Sequence, residues 1–434
     1  MDPTHCSIEM RKKGIVWLRN NLRLEDNPSI CRSLEDCDEI LCTYVFDESI
    51  WSPPSSQERM GNARAKFMLE SIAELKEEIE SRGGMIEFLY GNPVRELPKL
   101  MAKYGADTCY AQKEDAWEET EQERALAREH HLILSEGKGL WEDAELPFAL
   151  EELPGVFSSF RRKVEKSFHV RSSTSAPKTI PCDWKSSSAI PTLSSFGFDE
   201  VVYDSRSVLE FRGGCKQGMA WMDEWIWQRD CLKQYKETRN GMVGADYSSK
   251  LSPWLANGCV SPIQVYEEIK KYEDERVANE STYWLFFELL WREFFRFVAR
   301  RFGPQIFLRA GIKDSQNPAT RGDRKTLNRW KEGRTADSFV NANMIELATT
   351  GWMSNRGRQN VASYLIHDLG QDWLAGAKHF EKNLIDYDPC SNYGNWLYLA
   401  GVGNDPRPNR AFNVSKQAEY YDPDLTFRDL WARD

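Results

Sequence analysis

The chain has no CxxC pair, and none of its 6 histidines stands in a ligand pattern, although it carries 10 cysteines. Cys31, Cys37 and Cys42 lack metal-ligand spacing, so no structural metal is expected, and the cysteines read as reduced thiols of an intracellular protein. No GxGxxG follows the first apolar run, which removes the usual dinucleotide fingerprint. The opening MDPTHCSIEM has no apolar h-region and is too short and acidic for a good transit sequence, so no secretion signal is expected. The compartment, whether cytosol, nucleus or organelle, stays open. The most apolar stretch, 283–302, is interrupted by Glu288, Arg292, Glu293 and Arg296 and does not read as a membrane span. A positive balance is also missing. The net charge of −10 argues against non-specific polyanion binding by the whole molecule but leaves room for a local basic groove. There is no internal repeat, and nothing demands more than a monomer.

What is present supports real cores: 41% of the 434 residues are hydrophobic, and the length allows two or three domains at roughly 150 residues each. The 16 tryptophans read either as a rich aromatic core or as stacking and electron-transfer surfaces. GIVWL (14–18) and EILCTYVF (39–46) read as buried strands. A helical pattern from about residue 56 to 82 stops at Gly83-Gly84. MIEFLY, DTCYA and HLILS read as further strands, with helices PVRELPKLMAKYG and EETEQERALAREH between them. This alternation over residues 10–139 predicts an α/β domain with a doubly wound parallel sheet. Residues 140–207 lose the period, are rich in Ser, Thr and Pro over 171–195, and read as a surface connector with one helix near 157–168. Residues 208–434 read as nearly all helix.

Three stretches carry chemistry. In 351–396, apolar Val361, Tyr364, Leu365 and Leu369 recur at helical spacing. Asp386 and Asp388 lie in LIDYDP, where Pro389 interrupts helix, and at i and i+2 on an extended segment they share a face. A buried arginine or carboxylate needs a partner, so Arg358 and Asp386 are expected to pair. In 238–258, Ser252 before Pro253 reads as a helix cap, and Ser248, Ser249 and Lys250 offer hydroxyls, amides and a positive charge to a phosphate. In 283–302, Glu288, Arg292 and Arg296 form one polar stripe at four-residue intervals, with Trp291 beside it. Arg239, Arg292, Arg296, Arg300, Arg301, Arg309, Arg321, Arg324, Lys325, Arg329 and Arg356 concentrate positive charge in the helical region, a pattern that suits nucleic-acid phosphate or a solvated surface.

WMSNRGRQN followed by LIDYDPCSNYGNW resembles the flavin-site motif of the photolyase/cryptochrome family, specifically its DASH branch. TRNGMVGADYSSKLSPWLANG, ELLWRE and NYGNWLYLAGVGNDPR match it as well. The resemblance covers nearly the whole chain and is weaker before residue 150. It implies an antenna domain over 10–139 and an FAD-binding domain over 208–434. It assigns flavin contacts to Tyr235, Ser248, Ser249, Lys250, Leu251, Ser252, Arg292, Asn355, Arg358, Asp386, Asp388 and Asn392. It assigns DNA and substrate contacts to Arg239, Glu288, Trp291, Asn355, Arg356, Gln359 and Tyr398. Glu288 and Asn392 count with the catalytic set, as do Trp396 and Trp373, the proximal and middle members of a tryptophan electron chain. WLRNNLRLEDN (17–27) resembles the N-terminal signature, with Asn21 where an aspartate is usual, and reads equally as a charged loop. Glu114 looks like the acid that contacts a methenyltetrahydrofolate antenna, or is a solvated glutamate beside an atypical Gln112.

The chain also departs from the family. Counting back from Trp330, the distal tryptophan falls at Thr320, and Asn341 replaces a usual aspartate. Ser354 stands where (6-4) photolyases carry a histidine, and Gln359 and Tyr398 are DASH-like choices. No long C-terminal tail follows the last motif. The resemblance therefore implies blue-light-driven repair of cyclobutane pyrimidine dimers, preferentially in single-stranded DNA, by a carbon–carbon lyase that uses FAD. The alternative is a blue-light photoreceptor without repair activity.

Overall fold

The computed structural model describes residues 11–52, 58–167, 169–185, 188–313, 322–407 and 410–432. Five parallel strands form one sheet of order β3-β2-β1-β4-β5. They are β1 (Lys13–Leu18), β2 (Glu39–Phe46), β3 (Ile86–Tyr90), β4 (Thr108–Gln112) and β5 (His131–Ser135). Helices α1 (Pro28–Asp36), α2 (Glu48–Trp51), α3 (Asn62–Ser81), α4 (Pro93–Tyr104) and α5 (Trp117–Ala127) connect them. The apolar runs of β1 and β2 serve both faces. Val16, Leu18, Cys42 and Phe46 pack into one core with α3, while Ile15, Trp17, Leu41 and Val45 pack into another with Leu97, Met101 and Leu126 of α4 and α5. Strands covered on both sides need no polar alternation, which is why they read as continuous hydrophobic runs. Proline at the first turn of α1 and α4, and left-handed Gly105 after α4, set helix ends as the sequence predicts. The helix expected from about residue 56 begins at Asn62, and residues 56 and 57 lie outside those described.

The connector is more than a surface wrap. Its helix α6 (Phe157–Val164) buries Phe157, Phe160 and Val164, and Ile180 and Leu193 are also buried. Its backbone also joins the sheet domain, where the Ile180 amide donates to Arg82 and the Ile40 amide donates to Pro181. Ser/Thr/Pro composition masked these few apolar anchors.

The rest is helical: α7 (Cys215–Asp223), α8 (Tyr235–Thr238), α9 (Ser252–Ala256), α10 (Pro262–Glu275), α11 (Glu280–Phe302), α12 (Arg324–Lys331), α13 (Ser338–Thr350), α14 (Asn355–Ser363), α15 (Trp373–Asn383), α16 (Pro389–Leu399), α17 (Val414–Tyr421) and α18 (Thr426–Leu430). Helix α11 is the central element. Asn279 caps it through the Ser281 and Thr282 amides, and its apolar face buries Leu285, Leu289, Phe294 and Phe297. It packs on α16 and α8, and its C-terminal half meets the sheet domain.

The 17–27 loop is not an ordinary charged loop. Asn21, Arg23, Asp26 and Asn27 are all buried, and Arg23 donates to the carbonyls of Asp26, Gly137 and, at 2.9 Å, Gly258 of the helical region. Arg19 pairs with Glu123 at 2.5 Å beside the carboxyl ends of β1 and β4, the point where the strand order reverses. A crevice that holds ligands in many doubly wound sheets is here filled by an ion pair.

Candidate functional site

A cavity of about 460 Å³ opens among α8, α9, α11, α14 and α16. Every residue expected to hold the cofactor lines it: Tyr235, the 248–252 loop, Arg292, Asn355, Arg358, Asp386, Asp388 and Asn392. So do Arg239, Glu288, Trp291, Arg356, Gln359, Tyr398 and Trp396. Trp373 and Glu114 do not reach it.

The floor is built from two acids that diverge. Asp386 accepts from Arg358 at 2.8 Å and from the Ser252 hydroxyl at 2.6 Å, while its Oδ1 is buried with no protein partner. The expected Arg358–Asp386 pair is therefore present. Asp388 caps α16 through the Ser391 amide at 2.8 Å. Burial works against its charged form, yet Lys138, Arg292 and that amide hold the carboxyl below the usual range. The residue after it, Pro389, opens α16 at the first helical position, so it starts a helix as much as it interrupts one. Asn392 sits one turn on and donates to the Ala377 carbonyl at 3.1 Å, leaving its Oδ1 available.

The 248–252 loop differs from expectation in two ways. Ser252 is the first residue of α9 and its hydroxyl serves Asp386, so it does not cap the helix. Lys250 turns its ammonium under the loop, onto the carbonyls of Ala245 (2.9 Å) and Tyr247, and burial pushes it down to about 7. Its charge braces the loop from beneath. Ser248 and Lys250 both adopt left-handed backbone conformations, with φ of 53° and 52°, and the loop they shape lines the cavity. Two hydroxyls and the loop's amides suit a pyrophosphate better than a five-residue helix end does.

The lining is also aromatic and cationic. Trp291 stacks on Phe157 at 3.7 Å and meets Tyr398 edge-on at 5.8 Å. Arg239 holds Glu288 at 3.0 Å, and burial still raises the Glu288 carboxyl above its ordinary range. The buried Arg239 Nε has no partner. Arg356 bonds Gln359 at 2.9 Å and Asn240 at 3.1 Å and lies over the Tyr421 ring. Arg410 lies over Tyr398 at 4.5 Å and also lines the cavity. It escaped the sequence reading because a single arginine in an irregular segment carries no periodic signal. Trp352 and Tyr387 were missed for the same reason.

The arginine cluster does not form one groove. Arg296 and Arg300 are buried against Asp115, Glu293, Glu136 and Asp143. Arg301 donates to the Leu153 carbonyl and Arg309 to Asp372. Arg324, Lys325 and Arg329 are exposed on α12, and Arg321 lies outside the described residues. Of the ten that are described, only Arg239, Arg292 and Arg356 line the cavity. Linear clustering cannot distinguish a cation facing solvent from one already neutralised across a domain boundary.

Trp396 lies at the cavity wall and Trp373 behind it, fully buried, donating to the Arg309 carbonyl at 3.1 Å. Gly376 permits this packing, since a Cβ there would come within 2.2 Å of the Trp396 ring. Trp330 is edge-on to Trp396 at 6.4 Å, and Thr320 lies outside the described residues. Ser354 is buried and caps α14 through the Gly357 amide at 2.9 Å. Asn341 both accepts from and donates to Thr335, with its Nδ2 3.0 Å from the Thr335 carbonyl, a bond that an aspartate lacks the proton to make. Glu114 is 1% exposed and paired with Lys138 at 2.6 Å, so it is not a solvated glutamate.

Residues 14–181 match the family model for DNA photolyase, and 284–433 match the FAD binding domain of DNA photolyase. Cryptochrome DASH from Natronomonas pharaonis is 43% identical over 96% of this chain and 89% of its own length. The chain belongs to the photolyase/cryptochrome family, in its cryptochrome DASH branch. The crystal structure of a Synechocystis cryptochrome superposes with a TM-score of 0.91 at 42% identity, covering 97% of this chain and 88% of that one. A bacterial class III photolyase from Agrobacterium tumefaciens superposes at 0.85 with 27% identity, covering 99% and 88%. FAD is the family's cofactor. The cavity fits it: the 248–252 loop offers hydroxyls and amides to phosphate, Asp386 beside Ser252 of that loop keeps an orphaned oxygen, and Arg292 and Arg358 supply positive charge in the lining.

Proposed function

We propose that the protein repairs cyclobutane pyrimidine dimers under blue light, preferentially in single-stranded DNA. The observation that carries this reading is that one cavity gathers two chemically distinct sets of groups. The 248–252 loop, Arg358, Asp386, Asp388 and Asn392 are one; Trp291, Tyr398, Arg239, Arg356, Gln359 and Glu288 are the other. When bound, FAD supplies a light-excitable electron donor, and the reaction has no net redox change.

This chain's residues do the rest. Arg292 and Arg358 place positive charge where added negative charge must be held. Asp386 and Asp388 supply acceptors for N–H groups on the cofactor, and the 248–252 loop takes the pyrophosphate. Trp291 and Tyr398 present ring faces and edges to unstacked pyrimidines. Glu288, with its carboxyl raised, donates a hydrogen bond to a pyrimidine carbonyl oxygen when protonated. Arg239, Arg356 and Arg410 meet the strand's phosphates. Tyr398 offers less stacking area than a tryptophan, so it offsets less of the few kcal/mol of unpairing a duplex base, which favours single strands. Trp396 and Trp373 form the inner part of an electron path to the cavity, a feature shared by the competing reading, a photoreceptor without repair activity.

The test is illumination of the reduced protein with an oligonucleotide carrying one thymine dimer, as single strand and as duplex. Light-dependent repair of the single strand, with little repair in duplex, is expected. Equal repair of both discards the Tyr398 argument. No repair by a flavin-loaded, reduced sample favours the photoreceptor.

A further inference from the structure

Lys138 follows β5, belongs to the sheet domain, and is not among the residues lining the cavity. Its side chain is 2% exposed and its ammonium is surrounded by three carboxylates: Glu114 at 2.6 Å, Asp388 at 3.5 Å and Asp115 at 4.0 Å. Its backbone carbonyl accepts from Arg292 Nη1 at 2.6 Å. One residue from the other domain therefore holds both an acid and a base of the cavity floor. Its position is tightly set. The next residue is Gly139, and a Cβ there would fall 1.3 Å from Arg296 Nη1, so the backbone lies directly on the buried Arg296–Asp115–Glu293 cluster.

The charge balance is uneven. Asp115 already has Arg296 at 2.8 Å and Arg300 as a second partner. Among the described residues Glu114 has only Lys138 as an ion-pair partner, with the Asn20 amide at 3.5 Å. Asp388 has Lys138, the Ser391 amide and the field of Arg292. Glu119 on α5 and Cys390 on α16 also face the group. Removing the ammonium would leave Asp388 and Glu114 as buried carboxylates short of a cation, and such groups take up a proton instead.

We propose that Lys138 is a positioning residue of the flavin site: it keeps Asp388 ionised and Arg292 oriented, and so keeps any titration of Asp388 out of the flavin's reduction potential in the neutral range. This rests on FAD occupying the cavity with its polar edge at Asp388. The consequence is that redox tuning of the cofactor is shared with the sheet domain and is not confined to the helical one.

The experiment uses the full-length flavin-loaded protein and measures the flavin midpoint potential from pH 5 to 9, together with the FAD dissociation constant. Any flavin potential has a pH slope from its own protonation, so the readout is the difference between variant and unmodified protein. For Lys138→Met the difference should show a new inflection, with the potential lower than in the unmodified protein above it and converging below it. The FAD dissociation constant should rise by about tenfold, one pKa unit of differential interaction. Lys138→Arg should restore the original profile. Lys138→Met combined with Asp388→Asn should remove the inflection; an inflection that persists places the titration on Glu114 and overturns the Asp388 assignment.

If Lys138→Met does not fold, Lys138→Gln with Glu114→Gln keeps the seam's net charge, leaves Asp388 alone, and should show the same inflection. A profile parallel to the unmodified protein, with unchanged FAD affinity, makes Lys138 a domain staple only and overturns the proposal. Absence of a flavin spectrum in the unmodified protein would instead overturn the occupancy of the cavity.

Discussion

Helix α11 carries one stripe, Glu288, Arg292, Arg296 and Arg300, at constant four-residue spacing, and the fold uses its two halves in opposite ways. The C-terminal half is closed. Arg296 and Arg300 place every guanidinium nitrogen on Asp115, Glu293, Glu136 or Asp143; Arg296, Asp115 and Glu293 are buried, and Asp143 lies at the half-buried rim. The N-terminal half is open. Glu288 and Arg292 face a cavity in which Asp386 Oδ1 and Arg239 Nε have no protein partner. Buried cations whose every donor is paired lock two domains together, whereas a cavity lined by groups with spare valence suits a polar ligand. The same four side chains would be indistinguishable on an isolated helix.

The sharpest way to test this contrast is to break the closed half. Asp115→Asn removes the buried carboxylate that Arg296 and Arg300 share, leaving them Glu293, Glu136 and Asp143, and should cost about 3 kcal/mol of unfolding free energy, read from urea denaturation. Arg358→Met removes a cation from the cavity that the open half faces. It should leave the fold standing but raise the FAD dissociation constant by roughly 10- to 100-fold, the equivalent of a charge-assisted hydrogen bond. If both substitutions lower stability equally and neither affects FAD, the contrast fails.

Acid titration sharpens the comparison. Asp115 and Asp388 are both held below the usual carboxylate range, so each contributes stability that is present above about pH 4 and lost as pH falls further. His379 behaves differently. Burial pushes it down to about 3, so the unfolded chain binds its proton first, and its share of stability is lost as pH falls from about 6.5 toward 3. His379→Phe should therefore gain melting temperature relative to the unmodified protein as pH falls from about 6.5 toward 3; the comparison isolates His379 from raised carboxyls such as Glu119, at about 7, whose titration acts in the opposite sense. The smallest effect is expected at Asn341→Asp, which removes the bond to the Thr335 carbonyl and should cost about 1 kcal/mol by the same denaturation assay.

Much of the sheet domain was legible because buried parallel strands and amphipathic helices write their environment into local periodicity. Val16 and Trp17 pack on opposite faces of β1, and the run GIVWL says so. The cavity was legible in pieces, since the loop 248–252, Arg358–Asp386 and Trp396 each sit in a recognisable string. What did not show was partnership across long sequence separations. Ser252 looks like a cap from its neighbour Pro253, but Asp386 lies close enough to take its hydroxyl. Lys250 looks like a phosphate ligand, but the carbonyls of its own loop are nearer.

By itself, then, the sequence determined the elements, the two-part α/β and helical organisation, and the residue types at the site, because propensity and hydrophobic period act over a few residues. Only the tertiary structure decided which charges are spent and which are free. Lys138 acquires its meaning from Glu114 in one domain and Asp388 in the other, and Arg296 from Asp115. Coulomb energy in a dry interior depends on distance in space and on excluded water, and neither is written in the order of residues along the chain.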